Sequence, residues 1–125
     1  MLHILLVAIG GAVGSVARYL ATIAMTRLLG PAFPWGTITV NILGSFAIGL
    51  LTEFVARKFS APMEMRLLLV VGILGGFTTF SSFSLDTMAL VERGPVWIAF
   101  SYVLASVLLS LTAAFGGLAL GRSLF

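Results

Sequence analysis

The chain has 125 residues, of which 60% are hydrophobic and only 9% are charged, and its formal net charge is +3. This composition is far more apolar than that of a soluble domain, so it predicts an integral membrane protein and argues against nucleic acid as a partner. The chain has no cysteine, which excludes disulfide bonds and thiolate metal sites.

Four apolar segments follow one another along the chain, each near the roughly 20 residues that cross a bilayer as a helix. We predict membrane-spanning helices over residues 2–28, 37–56, 67–91 and 96–120. Loops containing proline, glycine or charge separate them, with the sequences GPAFPWG, RKFSAPMEMR and ERGP. The N-terminal segment has no basic start and no small-residue cleavage site, so we expect a retained helix. The prediction is an all-α membrane protein with a single domain over residues 1–125.

Small residues are concentrated in the first two predicted helices. The sequences GGAVGSVA (10–17) and GSFAIG (44–49) have the spacing that lets helix backbones approach closely in a membrane. Four helices enclose little interior, so these surfaces fit either packing within one chain or contact with a second subunit.

The third predicted helix contains GILGGFTTFSSFS at residues 72–84, with two adjacent glycines followed by five hydroxyl side chains. Glycine weakens a helix, and the hydroxyls compete for its backbone hydrogen bonds. We therefore predict that this helix is broken near its middle, where freed carbonyls could bind a cation. The alternative is an unbroken helix whose polar stripe bonds to its neighbours.

Other polar side chains lie inside the second and fourth predicted helices. Asn41 is an amide within an apolar run, which is costly without a partner. Tyr102, Ser106 and Ser110 follow one another at i, i+4 and i+8, so they share one face of the fourth helix. Each of them alone fits an interhelical hydrogen bond, and together they form a line of neutral donors.

The acidic residues offer no catalytic pair. They are Glu53, Glu64, Asp86 and Glu92, and no nucleotide-binding loop or nucleophile with a histidine base accompanies them. We therefore predict that the protein is not an enzyme. Glu53 lies four residues before Arg57, a spacing that suits a helical ion pair. Asp86 lies nearer the end of its helix than the centre, which leaves a proton-coupled role open.

Basic residues are almost evenly divided between the two sides of the membrane. Four lie on the side of the termini and three, counting Arg18, on the other: Arg57, Lys58, Arg66 and Arg122 against Arg27, Arg93 and Arg18. Such a weak bias allows insertion in both orientations and an antiparallel dimer, although a single orientation also fits.

Three blocks of the sequence together resemble one known family. They are GGAVGSVARY at 10–19, PWGTITVNILGSF at 34–46 and GGFTTFSSFSLDT at 75–87, in the same order and spacing over nearly the whole chain. The chain is thereby similar to the Fluc (CrcB) fluoride channels. The resemblance implies a multi-pass, dual-topology homodimer in the bacterial inner membrane, whose two antiparallel pores passively export cytoplasmic fluoride.

The same resemblance implies roles for individual side chains. Phe80 and Phe83 would border each pore and present their electropositive ring edges to the anion. Polar side chains would line the rest of the fluoride path, namely Asn41, Thr79, Ser81, Tyr102, Ser106 and Ser110. Arg18 would lie near a wide aqueous vestibule and attract anions.

The resemblance also implies a structural sodium ion. The carbonyls of Gly75 and Thr78, from both subunits, would hold it on the dimer axis, because hard oxygen ligands suit such a cation. The residue between Ser81 and Phe83 is often threonine in the family and is Ser82 here, which keeps the hydroxyl and loses a methyl group.

Two other classes of membrane protein share some of these features. A proton-coupled small multidrug exporter is also a four-span, dual-topology dimer, but it relies on a glutamate in its first span, and the predicted helix over residues 2–28 has none. A non-transporting subunit that packs through its glycines would leave the line of hydroxyls unexplained.

Overall fold

The computed structural model describes residues 1–56 and 63–125. Within these residues, four helical spans are long and apolar enough to cross a membrane. Three of them are single helices: α1 (Leu2–Leu29), α2 (Trp35–Phe54) and α6 (Val96–Leu124). The third span, Met63–Arg93, consists of α3 (Met63–Arg66), a π-helical stretch (Leu67–Leu74), α4 (Gly75–Phe77) and α5 (Ser81–Arg93).

The four predicted spans are confirmed, but several of their limits were wrong. Helix α2 begins at Trp35, earlier than predicted, with Pro34 as its N-cap, whose carbonyl accepts a hydrogen bond from the Ile38 amide at 3.3 Å. The third span begins at Met63 instead of residue 67, and α6 continues past residue 120 to Leu124. Hydropathy assigns the charged residues that flank each apolar run to loops. A helix can nevertheless continue beyond the hydrocarbon region of the membrane, so the helices of the structure are longer than the apolar runs.

Helix α1 packs directly against the first half of the third span through glycines. A Cβ atom on Gly10 would lie 2.6 Å from the Leu68 carbonyl oxygen, and one on Gly76 would lie 2.6 Å from the Gly11 carbonyl oxygen. A Cβ on Gly14 would likewise collide with the Ile73 carbonyl. The small residues of the first span therefore bring two backbones into contact within one chain.

Helices α2 and α6 form a second close pair. A Cβ on Gly49 would strike the Ala114 carbonyl, and at one end of this pair Arg122 Nε lies 3.1 Å from Glu53 Oε1. This ion pair joins α2 to the last turn of α6. Arg57, the predicted helical partner of Glu53, lies outside the described residues, as does Lys58.

The buried core is small. A cluster of buried side chains is formed by Ile38, Leu90, Ala99 and Tyr102, whereas most large apolar side chains of the described residues are exposed. Exposed apolar surface on helices of this length suits contact with lipid chains.

Candidate functional site

Residues 78–80 lie between α4 and α5 and belong to neither helix. Thr78 is extended, with φ −88° and ψ 160°. Its amide and its hydroxyl both donate to the Leu74 carbonyl, at 3.0 and 2.9 Å. The Thr79 hydroxyl accepts from the Ser82 amide at 3.0 Å and satisfies one of the first N–H groups of α5. Threonine side chains therefore bond the backbone at the end of one helical segment and at the start of the next.

Asn41 of α2 binds the main chain of this same segment. Its side-chain nitrogen donates to the Thr79 carbonyl at 2.9 Å, and its side-chain oxygen accepts from the Thr79 amide at 2.8 Å. A carboxamide can make both bonds at once because it carries a donor and an acceptor. Asn41 thereby pairs both main-chain polar groups of Thr79, which would be costly to leave unpaired in a membrane.

A cleft of about 550 Å³ opens beside residues 78–80, between α2, the third span and α6. Its lining includes the following predicted site residues: Asn41, Gly75, Thr78, Thr79, Phe80, Phe83, Ser106 and Ser110. Apolar side chains such as Ile48 and Leu111 complete the walls. The structure thus brings most of the predicted site residues to one surface, with polar groups set among apolar ones.

Ser106 and Ser110 stand out within this lining. Their hydroxyl oxygens are buried, and neither makes a hydrogen bond of ordinary distance and angle among the described residues, although Ser106 lies near the Tyr102 hydroxyl. Serine in a helix often bonds to the carbonyl four residues before it, as Ser101 does to Trp97 at 2.8 Å in the same helix. Because buried hydroxyls are costly without a partner, these two hydroxyls are available to bond a water molecule, a ligand or a second subunit in the cleft.

Two aromatic rings, those of Phe80 and Phe83, line the same cleft as these serines. The ring centroids of Phe80 and Phe83 lie 5.4 Å apart, and those of Phe83 and Tyr102 lie 5.3 Å apart. Phe80 is 77% exposed, so its ring has few contacts within the chain. Phe83 is half-buried and packs against the core.

Tyr102 does not line the cleft, although it shares a helix face with the two serines. Its side chain is fully buried, and its hydroxyl donates to Asp86 Oδ2 at 3.3 Å. The Thr37 hydroxyl donates to the same oxygen at 2.6 Å. Asp86 and Thr37 also line a second cavity of about 340 Å³, which has Arg93 in its wall. Sequence reasoning missed this polar cluster because helical spacing does not pair Asp86 with a residue of another helix.

The remaining predicted site residues lie apart from the cleft lining. Ser81 is exposed, and its hydroxyl lies 3.3 Å from that of Thr79. Arg18 is half-buried and donates from Nε to the Gly76 carbonyl at 3.0 Å. The role of Arg18 in attracting anions stays a prediction.

Comparisons with known proteins agree with the resemblance drawn from the three sequence blocks. The family described as CrcB-like protein, Camphor Resistance (CrcB), matches residues 5–118. A protein from Agrobacterium fabrum named fluoride-specific ion channel FluC is 62% identical over the full length of both chains. Proteins of the same name from Rhizobium etli and Rhizobium meliloti are each 56% identical over 99% of both chains. The chain therefore belongs to the CrcB-like protein family.

Proposed function

We propose that this protein is a fluoride-selective ion channel that exports cytoplasmic fluoride passively. The single observation that carries the proposal is the pair of buried hydroxyls of Ser106 and Ser110, which make no hydrogen bond of ordinary distance and angle among the described residues. They lie in a cleft whose other walls include the rings of Phe80 and Phe83. Full-length relatives that bear the name fluoride-specific ion channel support the same assignment.

The chemistry of fluoride fits neutral donors of this kind. Fluoride is small and strongly hydrated, so a dry pore must replace its water with close hydrogen bonds. A fixed positive charge in the narrow part could trap the ion, whereas several moderate sites let it enter and leave. Serine hydroxyls and the positive edges of aromatic rings supply such sites. Selectivity against the larger chloride then follows from a narrow bore together with donor density.

We extend the proposal to an antiparallel homodimer with two pores in the bacterial inner membrane. The cleft is open along one side of the single chain, and Phe80 beside it is 77% exposed. A second copy laid across this surface would cover the ring and narrow the cleft to a pore. The nearly even division of basic residues is compatible with both orientations in one membrane.

Residues 78–80 are then a functional break in the third span, and the end of α4 holds a structural sodium ion. The donor chemistry fits, because Gly75 and Thr78 line the cleft and the Thr79 amide, which would bond the Gly75 carbonyl in a continued helix, bonds Asn41 instead. The described residues contain no group of three or more acidic, histidine or cysteine side chains that could hold a metal ion. Main-chain carbonyls from two subunits would bind the cation, as hard oxygen ligands do.

Efflux from liposomes tests the function. Vesicles containing the purified protein should release fluoride much faster than chloride, and the flux should not require a proton gradient. Proton-dependent release of organic cations would instead identify an exporter, in which Asp86 becomes the first candidate for the proton carrier. An absence of flux for every solute would favour a non-transporting subunit and contradict the proposal.

Cysteine labelling tests the antiparallel assembly. Met63→Cys lies at the start of α3, and Gly94→Cys lies in the turn on the opposite side of the membrane. In a dual-topology population each cysteine should react with a membrane-impermeant reagent from both sides. Labelling of each position from one side alone would show a single orientation and rule out the antiparallel dimer.

A further inference from the structure

Arg18 makes a specific hydrogen bond that its predicted role, the attraction of anions, does not require. Its Nε atom donates to the carbonyl of Gly76 at 3.0 Å, across 58 positions of the chain. Gly76 belongs to α4, the short helical segment that ends immediately before residues 78–80. The guanidinium therefore binds the helix end where the sodium ion is proposed to lie.

The end of α4 needs such a partner. The last carbonyls of a helix have no helical N–H to bond to, and they carry the negative end of the helix dipole. The Leu74 carbonyl is occupied by Thr78, and the Gly76 carbonyl is occupied by Arg18. The neighbouring Gly75 lies on the side of the cleft, whereas Gly76 lies against α1. One side of the helix end therefore contacts the Arg18 guanidinium, and the other side faces the cleft.

The glycines of α1 place Arg18 within reach of this carbonyl. Gly10, Gly14 and Arg18 follow at i, i+4 and i+8, so they lie on one face of α1. Gly10 and Gly14 allow the α1 backbone to touch the third span directly, because a Cβ atom at either position would collide with that span. A bulkier residue at either position would push the helices apart and lengthen the contact between Arg18 and Gly76.

We propose that Arg18 is a positioning residue for the third span. By holding the end of α4 against α1, it keeps the carbonyls of Gly75 and Thr78 directed toward the cleft, where they bind the cation. This inference rests on the proposed sodium site and assigns Arg18 a task other than attracting anions. Because the bond is made by the planar Nε–H of a guanidinium, lysine would keep the charge without reproducing the contact.

Hydrogen exchange of the full-length protein tests this directly. In Arg18→Gln and in Arg18→Lys, amides at residues 75–80 should exchange about tenfold faster or more, because local opening becomes easier. Amides in α2 and α6 should keep their wild-type rates, which separates a local role from general destabilisation. Arg27→Gln is the matched control, since Arg27 is an exposed residue in the last turn of the same helix. Unchanged exchange at residues 75–80 in both Arg18 variants would overturn the proposal, as would an equal rise in every helix.

A second readout is the sodium concentration that stabilises the protein. Melting temperature is measured against sodium chloride, with N-methylglucamine chloride keeping the ionic strength constant. Both Arg18 variants should need about tenfold more sodium for half of the stabilisation, and Arg27→Gln should match the wild type. If Arg18→Gln needs no extra sodium and loses fluoride flux only at low ionic strength, attraction of anions is the correct role and positioning is refuted. A wild-type protein that sodium does not stabilise contradicts the sodium site and this inference together, while its fluoride flux still decides the channel function.

Discussion

Replacing Phe80 by isoleucine is expected to reduce fluoride flux per dimer by about tenfold or more while leaving the dimer assembled. Isoleucine keeps apolar bulk but has no aromatic quadrupole, so the anion loses a positive ring edge. A loss of about 1.4 kcal/mol of stabilisation at the barrier lowers the rate about tenfold. Because Phe80 is 77% exposed in the single chain, its substitution should disturb the fold little. The measurement is fluoride efflux per reconstituted dimer, and size-exclusion chromatography gives the fraction of the protein that is dimeric.

Phe83→Ile should also reduce flux, but with a cost in stability. The Phe83 ring packs on Tyr102, so an ill-fitting isoleucine should destabilise the chain by about 1 to 3 kcal/mol. Phe115→Ile serves as the matched control, because Phe115 is 70% exposed on α6 and does not line the cleft. If the rings only pack the helices, flux would fall in proportion to lost dimer. Near-normal flux per dimer in both Phe80→Ile and Phe83→Ile would refute the pore role.

Asn41→Ala is expected to have the second large effect, since it leaves both main-chain polar groups of Thr79 without their partner. Each unpaired group costs about 1 to 3 kcal/mol when buried. The geometry of residues 78–80 should therefore be lost in a large part of the population, and fluoride flux should fall by about tenfold or more, because about 1.4 kcal/mol is a factor of ten. Thermal unfolding of the detergent-solubilised protein, measured beside flux, gives the stability change.

Asn41→Asp distinguishes the two hydrogen bonds of this side chain. A carboxylate still accepts from the Thr79 amide, but it cannot donate to the Thr79 carbonyl, and it places a charge within the membrane. The fluoride flux of the Asn41→Asp variant should be no higher than that of the Asn41→Ala variant. Thr52→Ala is the control in α2, because the Thr52 hydroxyl is exposed and donates to the Ile48 carbonyl of its own helix. Wild-type flux in Asn41→Ala would show that Thr79 does not depend on this pairing.

The sequence alone determined the class of the protein and the number of its membrane spans. Hydropathy is a property of each stretch of chain by itself, so a run of apolar residues predicts a span without knowledge of its neighbours. The limits of the spans were less accurate, since contacts set them. The ion pair between Glu53 and Arg122, for example, joins residues from two helices.

The resemblance to a family selected the site residues, but tertiary structure decided what each of them contacts. Ser106, Ser110 and Tyr102 share a helix face by their spacing, yet only the serines line the cleft. The hydroxyl of the longer tyrosine side chain instead bonds to Asp86 of α5. Periodicity specifies the direction in which a side chain leaves its helix, whereas its partner depends on which helix packs there.

The contacts around residues 78–80 also separate what the sequence determines from what the tertiary structure decides. Asn41 and Thr79 are 38 positions apart, and Arg18 and Gly76 are 58 positions apart. The sequence determined that these polar groups lie within the membrane, where each needs a partner. The close packing of α1 and α2 on the third span decided which partner each one found, because hydrogen bonds act only over about 3 Å.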